Sequence, residues 1–290
     1  MKSILITGSN GFVGSNLITK LQKKYILFKH TKKDGDLKLQ KTFPVVDYVI
    51  HLAATSNTKD NYDKPIDVIK NNFLSTLSLV EFYKKQKKKP VFIFSSTAEI
   101  TNCATDLFNF KIPTDENVPF VINDLSNPRW SYASSKALCE QIIMLSGLKF
   151  VILRVYNIYG PGQKGNFIYD FIKRSKKKYI NLFGWNQARS WLYIDDLSSA
   201  IEKLLQTKKT INQIINIGSD KEYKVIEIAK TILKELNLNH QIIKKPAPKG
   251  SPRRRMPNIK KSKKLLNWKP TTNILVGIKK TVKSMKNKSK

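Results

Sequence analysis

The chain has 290 residues, 41% of them hydrophobic, which suits one large core or two lobes sharing one and excludes a small disulfide-dependent scaffold. Its 53 basic and 21 acidic residues give a net charge of +32, a balance that first suggests nucleic acid or an anionic membrane. Only seven of the basic residues are arginines (129, 154, 174, 189, 253, 254 and 255), and lysine is what a solvated surface carries, whereas bidentate phosphate or guanine recognition is mainly arginine work.

The N-terminal residues MKSILITGSNGFVG run straight into a strand and a glycine loop, without the apolar stretch of a signal peptide. No segment has the roughly 20 consecutive apolar residues that span a bilayer. The expectation is a soluble, cytoplasmic protein with neither nucleic acid nor membrane as partner. Short apolar runs follow at SILIT (3–7), YILF (25–28), YVIHL (48–52), VFIFSS (91–96) and FVILRVY (150–156), each succeeded by a helical stretch or a loop. Unbroken apolar runs mark strands buried on both faces, so the expected fold is α/β, a doubly wound parallel sheet of Rossmann type. Beyond Pro161 the elements shorten. A helix is expected near 167–176, strands near 180–183 and 190–194, a helix near 195–206 and a strand near 213–217. Helices near 224–236, 259–266 and 272–285 complete the chain. Residues 1–165, joined again by 190–217, would form the dinucleotide-binding domain. Residues 166–189 and 218–283 would form a smaller mixed α/β substrate-binding region, with 284–290 a frayed tail.

After the first strand comes Thr7-Gly8-Ser9-Asn10-Gly11-Phe12-Val13-Gly14. Gly8 permits the tight turn, Gly11 lets backbone amides approach a diphosphate, and Gly14 lets the next helix pack close to the sheet. The end of the second strand should read the adenosine ribose. An acid there accepts from the 2′-hydroxyl, and a base suits a 2′-phosphate. Phe28-Lys29-His30-Thr31-Lys32-Lys33 carries no acid before Asp34, which leans toward NADP, whereas Asp34 or Asp36 in a shortened loop would serve NAD.

Tyr132 and Lys136, four apart on a predicted helix, share one face. A phenol with a pKa near about 10 becomes a usable general base where a neighbouring ammonium and the nicotinamide ring lower it. Ser95-Ser96-Thr97 closes the fourth strand. Cys103 and Cys139 are too few for a disulfide framework, and Cys139 reads as a small buried thiol. His30, His51 and His240 lack ligand partners at useful spacing, so no metal site is expected.

Together these residues resemble the extended short-chain dehydrogenase/reductases of the NAD-dependent epimerase/dehydratase family, which act on nucleotide sugars. The resemblance runs through the loop at 7–14, Asp47 to Ala54, Asn72, Ser95 to Thr97, and Tyr132 with Lys136. It continues through Arg154 to Pro161, Gln187 to Asp196, Asn216 to Ser219, and Arg255 onward to Pro270. It implies NAD as cofactor, with NADP as the alternative, held by Gly8, Gly11, Phe12, Val13, Gly14, Asp36, Leu37, Leu52, Ala53, Ala54, Asn72, Ser95, Tyr132 and Lys136. It implies that Tyr132 takes the sugar hydroxyl proton, that Thr97 shares that hydrogen bond, and that Lys136 bonds the cofactor ribose. The nucleotide-diphosphate sugar would meet Thr97, Asn157, Arg189 and Arg255.

Glu99 is the residue that separates reactions. Family members that lose water or carbon dioxide after oxidation at C4 use a glutamate here, within Thr-Ser-Glu or Thr-Asp-Glu, whereas this chain has Thr97-Ala98-Glu99. The usual Tyr-Gly that follows is replaced by Ile100-Thr101-Asn102-Cys103. Asn127-Pro-Arg-Trp-Ser-Tyr132 nonetheless looks like the UDP-glucuronate decarboxylase branch. Epimerisation at C4 asks least of these residues and is the leading expectation. A 4,6-dehydratase, a decarboxylase and an NADPH-dependent 4-keto-sugar reductase are the alternatives. The resemblance also implies a homodimer through helices near 65–88 and 131–145, with Phe73, Leu77 and Val80 either in the contact or in the core.

Overall fold

The apolar runs become strands β1 (Ser3–Thr7), β2 (Ile26–His30), β3 (Tyr48–His51), β4 (Val91–Thr97) and β5 (Lys149–Val155) in a computed structural model that describes residues 1–287. With the strand Gln213–Ile217 they form one six-stranded sheet, ordered Gln213–Ile217, β5, β4, β3, β1, β2, every pair parallel. Alternation along β1 makes it doubly wound. Ile4 and Ile6 enter one core with Leu17 and Leu21, while Leu5 enters another with Val49, Leu79 and Phe92. Each such buried side chain contributes about 2 kcal/mol.

Among the described residues, ten α-helices connect and cover the strands: α1 (Phe12–Leu21), α2 (Thr58–Asp63), α3 (Pro65–Lys84), α4 (Asn102–Leu107), α5 (Trp130–Leu145), α6 (Phe167–Arg174), α7 (Ile194–Leu205), α8 (Val225–Leu236), α9 (Lys260–Leu266) and α10 (Ile274–Asn287). α1 and α7 feed the first core, and α3 and α5 the second. Asp196 of α7 accepts hydrogen bonds from Thr271 N, Thr271 Oγ1 and Thr272 N, and its carbonyl accepts from Trp268 Nε1. This pins the segment that enters α10 onto the sheet layer.

Several expected boundaries move. β2 runs to His30, because its parallel pairing with β1 continues to Thr7 and the His30 carbonyl accepts from Ser9 N. The strand expected near 190–194 is two pieces, Ala188–Ser190 and Leu192–Tyr193, in different sheets, with buried Trp191 between them against Phe167. Glu222–Lys224, Gln241–Lys245 and Arg254–Arg255 are strands that the sequence pattern did not suggest; they are short and largely polar, and only pairing defines them. Residues 284–287, expected in a frayed tail, instead continue α10, where Met285 packs on the first core; 288–290 lie outside the described residues. Cys103 and Cys139 are both buried free thiols. No helix among the described residues is long and apolar enough to cross a membrane.

Candidate functional site

At the carboxyl ends of the strands the chain leaves a cleft of ≈1210 Å³, and every side chain singled out above for catalysis, cofactor or substrate lines it. Its floor is the turn between β1 and α1. Gly8 has φ +67°, and a Cβ there would stand 2.8 Å from Ala53 N. A Cβ at Gly14 would stand 2.4 Å from Gly8 O, so only glycine lets α1 sit this close. Gly11 caps α1 with no side-chain hydrogen bond, leaving backbone N–H groups and the helix dipole to an anion. The cradle fits a dinucleotide diphosphate, flanked by Phe12 and Val13 on one side and Leu52, Ala53 and Ala54 on the other. Asp36 and Leu37 line the far end of the same cleft.

Polar side chains fix that wall from behind. Thr7 Oγ1 receives Ala53 N at 3.3 Å and lies 2.6 Å from His51 Nδ1, while His51 Nε2 lies 3.1 Å from Thr76 Oγ1. Thr76 spends its own proton on the Asn72 carbonyl, which makes His51 a neutral ring protonated at Nε2. Burial, reinforced by Lys136, holds its pKa down to about 3. Asn72 accepts from Thr55 N at 2.7 Å and donates to Thr55 O and Ser135 Oγ, tying the loop after β3 to α5.

Tyr132 and Lys136 stand on the first turns of α5, opposite Ser95 and Thr97 at the end of β4. Burial and then the Glu99 carboxylate push the Tyr132 pKa well above its usual value, with the Thr97 hydroxyl opposing them. The expected lowering is therefore not supplied by the protein alone. Lys136 Nζ donates to Ser95 O at 2.8 Å, lies 4.4 Å above the Phe94 ring, and is 5.9 Å from the centre of the Tyr132 ring. Burial lowers the Lys136 pKa to about 8, against the pull of Cys139 and Glu140.

On the side of the cleft expected to meet substrate, a short parallel pairing sets Arg255 directly across from Arg189. Arg255 is spread over three partners: Nε to Asn102 Oδ1 at 3.1 Å, Nη1 to Asn157 Oδ1 at 3.2 Å and Nη2 to Glu99 Oε1 at 3.3 Å. Arg189 donates to Ala188 O, Arg253 O and Gln187 Oε1. Burial, then Arg255 and Arg129, bring the Arg189 pKa down to about 9; burial also lowers that of Arg255. Nearby Asp106 is shifted the other way, chiefly by burial. The result is a crowded cationic wall short of negative charge. Of the remaining arginines, Arg254 pairs with Glu222 and Arg154 with Glu140, both away from the cleft lining.

Sequence reasoning missed Arg129 and Asn102 as members of this wall. Arg129 Nη2 lies 3.9 Å from Glu99 Oε1, while its buried Nε and the buried Nδ2 of Asn102 find no partner in the protein. The available signal for Arg129 was its position three residues before Tyr132 in an arginine-poor chain. Asn102 had none, because its role depends on a strand 153 residues away.

The family model described as "NAD dependent epimerase/dehydratase family" matches residues 4–218. A putative UDP-glucose 4-epimerase of Methanocaldococcus jannaschii is 31% identical, over 99% of this chain and 99% of its own. A UDP-N-acetyl-alpha-D-glucosaminuronate decarboxylase of Bacillus cytotoxicus is 29% identical, over 97% of each. The bifunctional polymyxin resistance protein ArnA of Wigglesworthia glossinidia brevipalpis is 30% identical over 97% of this chain, which spans only about half (51%) of that longer relative. Among solved structures, the UDP-glucose 4-epimerase of Thermotoga maritima with UDP-glucose superposes with a TM-score of 0.84 at 25% identity, covering 99% of this chain and 100% of the other.

Proposed function

The chain belongs to the NAD dependent epimerase/dehydratase family, an enzyme family using a nicotinamide dinucleotide, and from that membership we propose that it is a nucleotide-sugar 4-epimerase. It would oxidise the sugar at C4 to a transient 4-keto sugar and reduce the same carbon from its other face. The observation that carries this reading is the state of the segment after Thr97. Ala98 is buried and does not line the cleft, so no polar side chain is offered from that position, and the Glu99 carboxylate is engaged by Arg255. Dehydration or decarboxylation needs a proton managed at a second carbon, whereas epimerisation needs one acid-base group at the C4 oxygen.

A bound nicotinamide would supply reversible hydride acceptance at C4. Tyr132 takes the proton of the C4 hydroxyl and later gives it back, with Thr97 holding the same oxygen. Lys136 orients the ribose and supplies the positive charge that stabilises the phenolate. Arg189 and Arg255 hold the diphosphate with forked donors, and Asn157 keeps Arg255 in place. Residues 1–165 with 190–217 serve the cofactor, and 166–189 with 218–283 the substrate. Two copies associate through the outer faces of α3 and α5.

A uronate decarboxylase is the second reading. It is favoured by Arg129 and Arg255 flanking Glu99, since two guanidinium groups suit a sugar carboxylate. Incubation with UDP-, GDP-, CDP- and dTDP-sugars, uronates included, followed by mass spectrometry and NMR, separates the readings. The epimerase gives products of unchanged mass with inverted C4. Loss of 44 Da or 18 Da (roughly the masses of carbon dioxide and water) or stoichiometric consumption of NAD(P)H would replace that reading with a lyase or a reductase.

A further inference from the structure

The side chains at the cofactor end of the cleft bear on which nicotinamide dinucleotide it takes. β2 stops at His30, whose buried ring lies 2.6 Å from Gln40 Oε1 and whose carbonyl accepts from Ser9 N and Ser9 Oγ. The first side chains to open into the cleft beyond it are Thr31 and Lys32, followed after the turn by Asp36 and Lys38. A ribose 2′-hydroxyl looks for a carboxylate at this position, and a 2′-phosphate looks for cations.

Of the two carboxylates in the turn, one is turned away from the cleft and the other is shared with a lysine. Asp34 bends back on its own turn, accepting Thr31 N at 2.8 Å and Thr31 Oγ1 at 2.7 Å, and does not line the cleft. Asp36 does line it, but Oδ1 caps Lys38 N at 3.1 Å and Oδ2 pairs with Lys38 Nζ at 3.3 Å. Lys38 is itself fixed by Asn71 Oδ1 at 2.7 Å, with a third ammonium hydrogen to spare. Lys32 on the near side has no carboxylate within ion-pair distance among the described residues, so the turn carries more positive than negative charge toward the cleft.

We propose that this turn is a seat for an adenosine 2′-phosphate, with Lys32 and Lys38 as the specificity-determining residues, so that the protein prefers NADP(H) to NAD(H). The proposal rests on dinucleotide binding at the glycine loop and is independent of which sugar reaction follows. It matters for that reaction all the same, because a NADPH-loaded site is also the starting state for net reduction of a 4-keto sugar.

The test is equilibrium binding, by titration calorimetry at about 150 mM salt to screen non-specific lysine attraction, of NADP+, NAD+, 2′,5′-ADP and 5′-ADP. Expected are an NADP+ affinity at least about tenfold above that of NAD+ and the same order for the ADP pair. Lys32→Ala should shrink the NADP+/NAD+ ratio about tenfold, and Lys32→Glu should invert it. Lys32 is exposed, so loss of folding does not confound the comparison. Asp36→Asn should strengthen NADP+ relative to NAD+. Equal or tighter NAD+ binding, or a ratio unmoved by both Lys32 variants, overturns the proposal while leaving the glycine loop intact. Failure of both dinucleotides to bind overturns the reading of the loop as well.

Discussion

Burial and the Glu99 carboxylate keep the Tyr132 hydroxyl protonated in the free protein, so the charge that makes it a base has to arrive with the ligands and with Lys136. Tyr132→Phe should bind dinucleotide as the parent does and lose about 10²–10⁴ in kcat, read by calorimetry beside a turnover assay. Retained turnover would remove Tyr132 from the chemistry. His51 makes a second residue-level prediction. Its pKa is 6.5 when exposed and about 3 when buried, so below pH 6.5 the unfolded chain takes up a proton that the native protein refuses. Stability conferred by the neutral ring is full above that pH and drains away as the pH falls toward 3, at up to about 1.4 kcal/mol per pH unit. His51→Gln should therefore show a shallower loss of unfolding free energy between pH 6.5 and 4 in urea titrations, whatever its starting stability. Parallel slopes would count against a neutral buried histidine.

Among the elements, α5 does two jobs along one face. Tyr132 and Lys136 face the cleft, and Glu140, one turn further, is buried in a forked pair with Arg154 of β5, Nε to Oε1 at 3.1 Å and Nη2 to Oε2 at 2.8 Å. Glu140 also accepts Ser96 Oγ at 2.5 Å, fixing the strand end that carries Thr97. The third arginine contact, Nη1 to Glu116 O at 2.8 Å, reaches a loop whose Thr114 pairs with Met256 and Asn258, immediately after Arg255. The pair thus connects the Tyr132 side of the cleft to the strand that carries Arg255. Arg154→Met should cost about 3–5 kcal/mol because it strands a buried carboxylate, and the double variant with Glu140→Gln should recover a large part of that cost. Denaturant unfolding measures both, and a cost below about 1 kcal/mol for the single variant would mean that the pair does not hold the element together. The tyrosine–lysine spacing of α5 could be read directly from the sequence. The Glu140–Arg154 pairing could not, because it joins a helix to a strand through space.

At the scale of the whole molecule, the +32 charge does not gather arginines on one outer surface. Three of the seven, Arg129, Arg189 and Arg255, converge near Glu99 at one side of the cleft, and the anion proposed for them, a sugar nucleotide's diphosphate, is small. The outer faces of α3 and α5 are apolar instead. Ile66, Ile69, Phe73 and Leu77 recur at helical spacing on α3, as do Leu138, Ile142 and Leu145 on α5, with Ile66 78% and Leu145 79% exposed. Val80 belongs to the core instead, and Phe73 and Leu77 are half-buried. A homodimer through this face predicts that Leu138→Glu with Leu145→Glu yields monomers by light scattering with the fold intact; an unchanged dimer, or a monomeric parent, would exclude this contact. The sequence by itself determined the parallel α/β sheet, the glycine cradle and the Tyr132–Lys136 face, because apolar runs, a turn that only glycine can make and a four-residue helical spacing are all local constraints. Tertiary structure alone decided the opposition of Arg189 and Arg255, the engagement of Glu99 and which partners Asp34 and Asp36 take in the turn beyond β2. Their chemistry comes from charges brought together across long stretches of chain, and from carboxylates already committed to nearer partners, which residue order does not record.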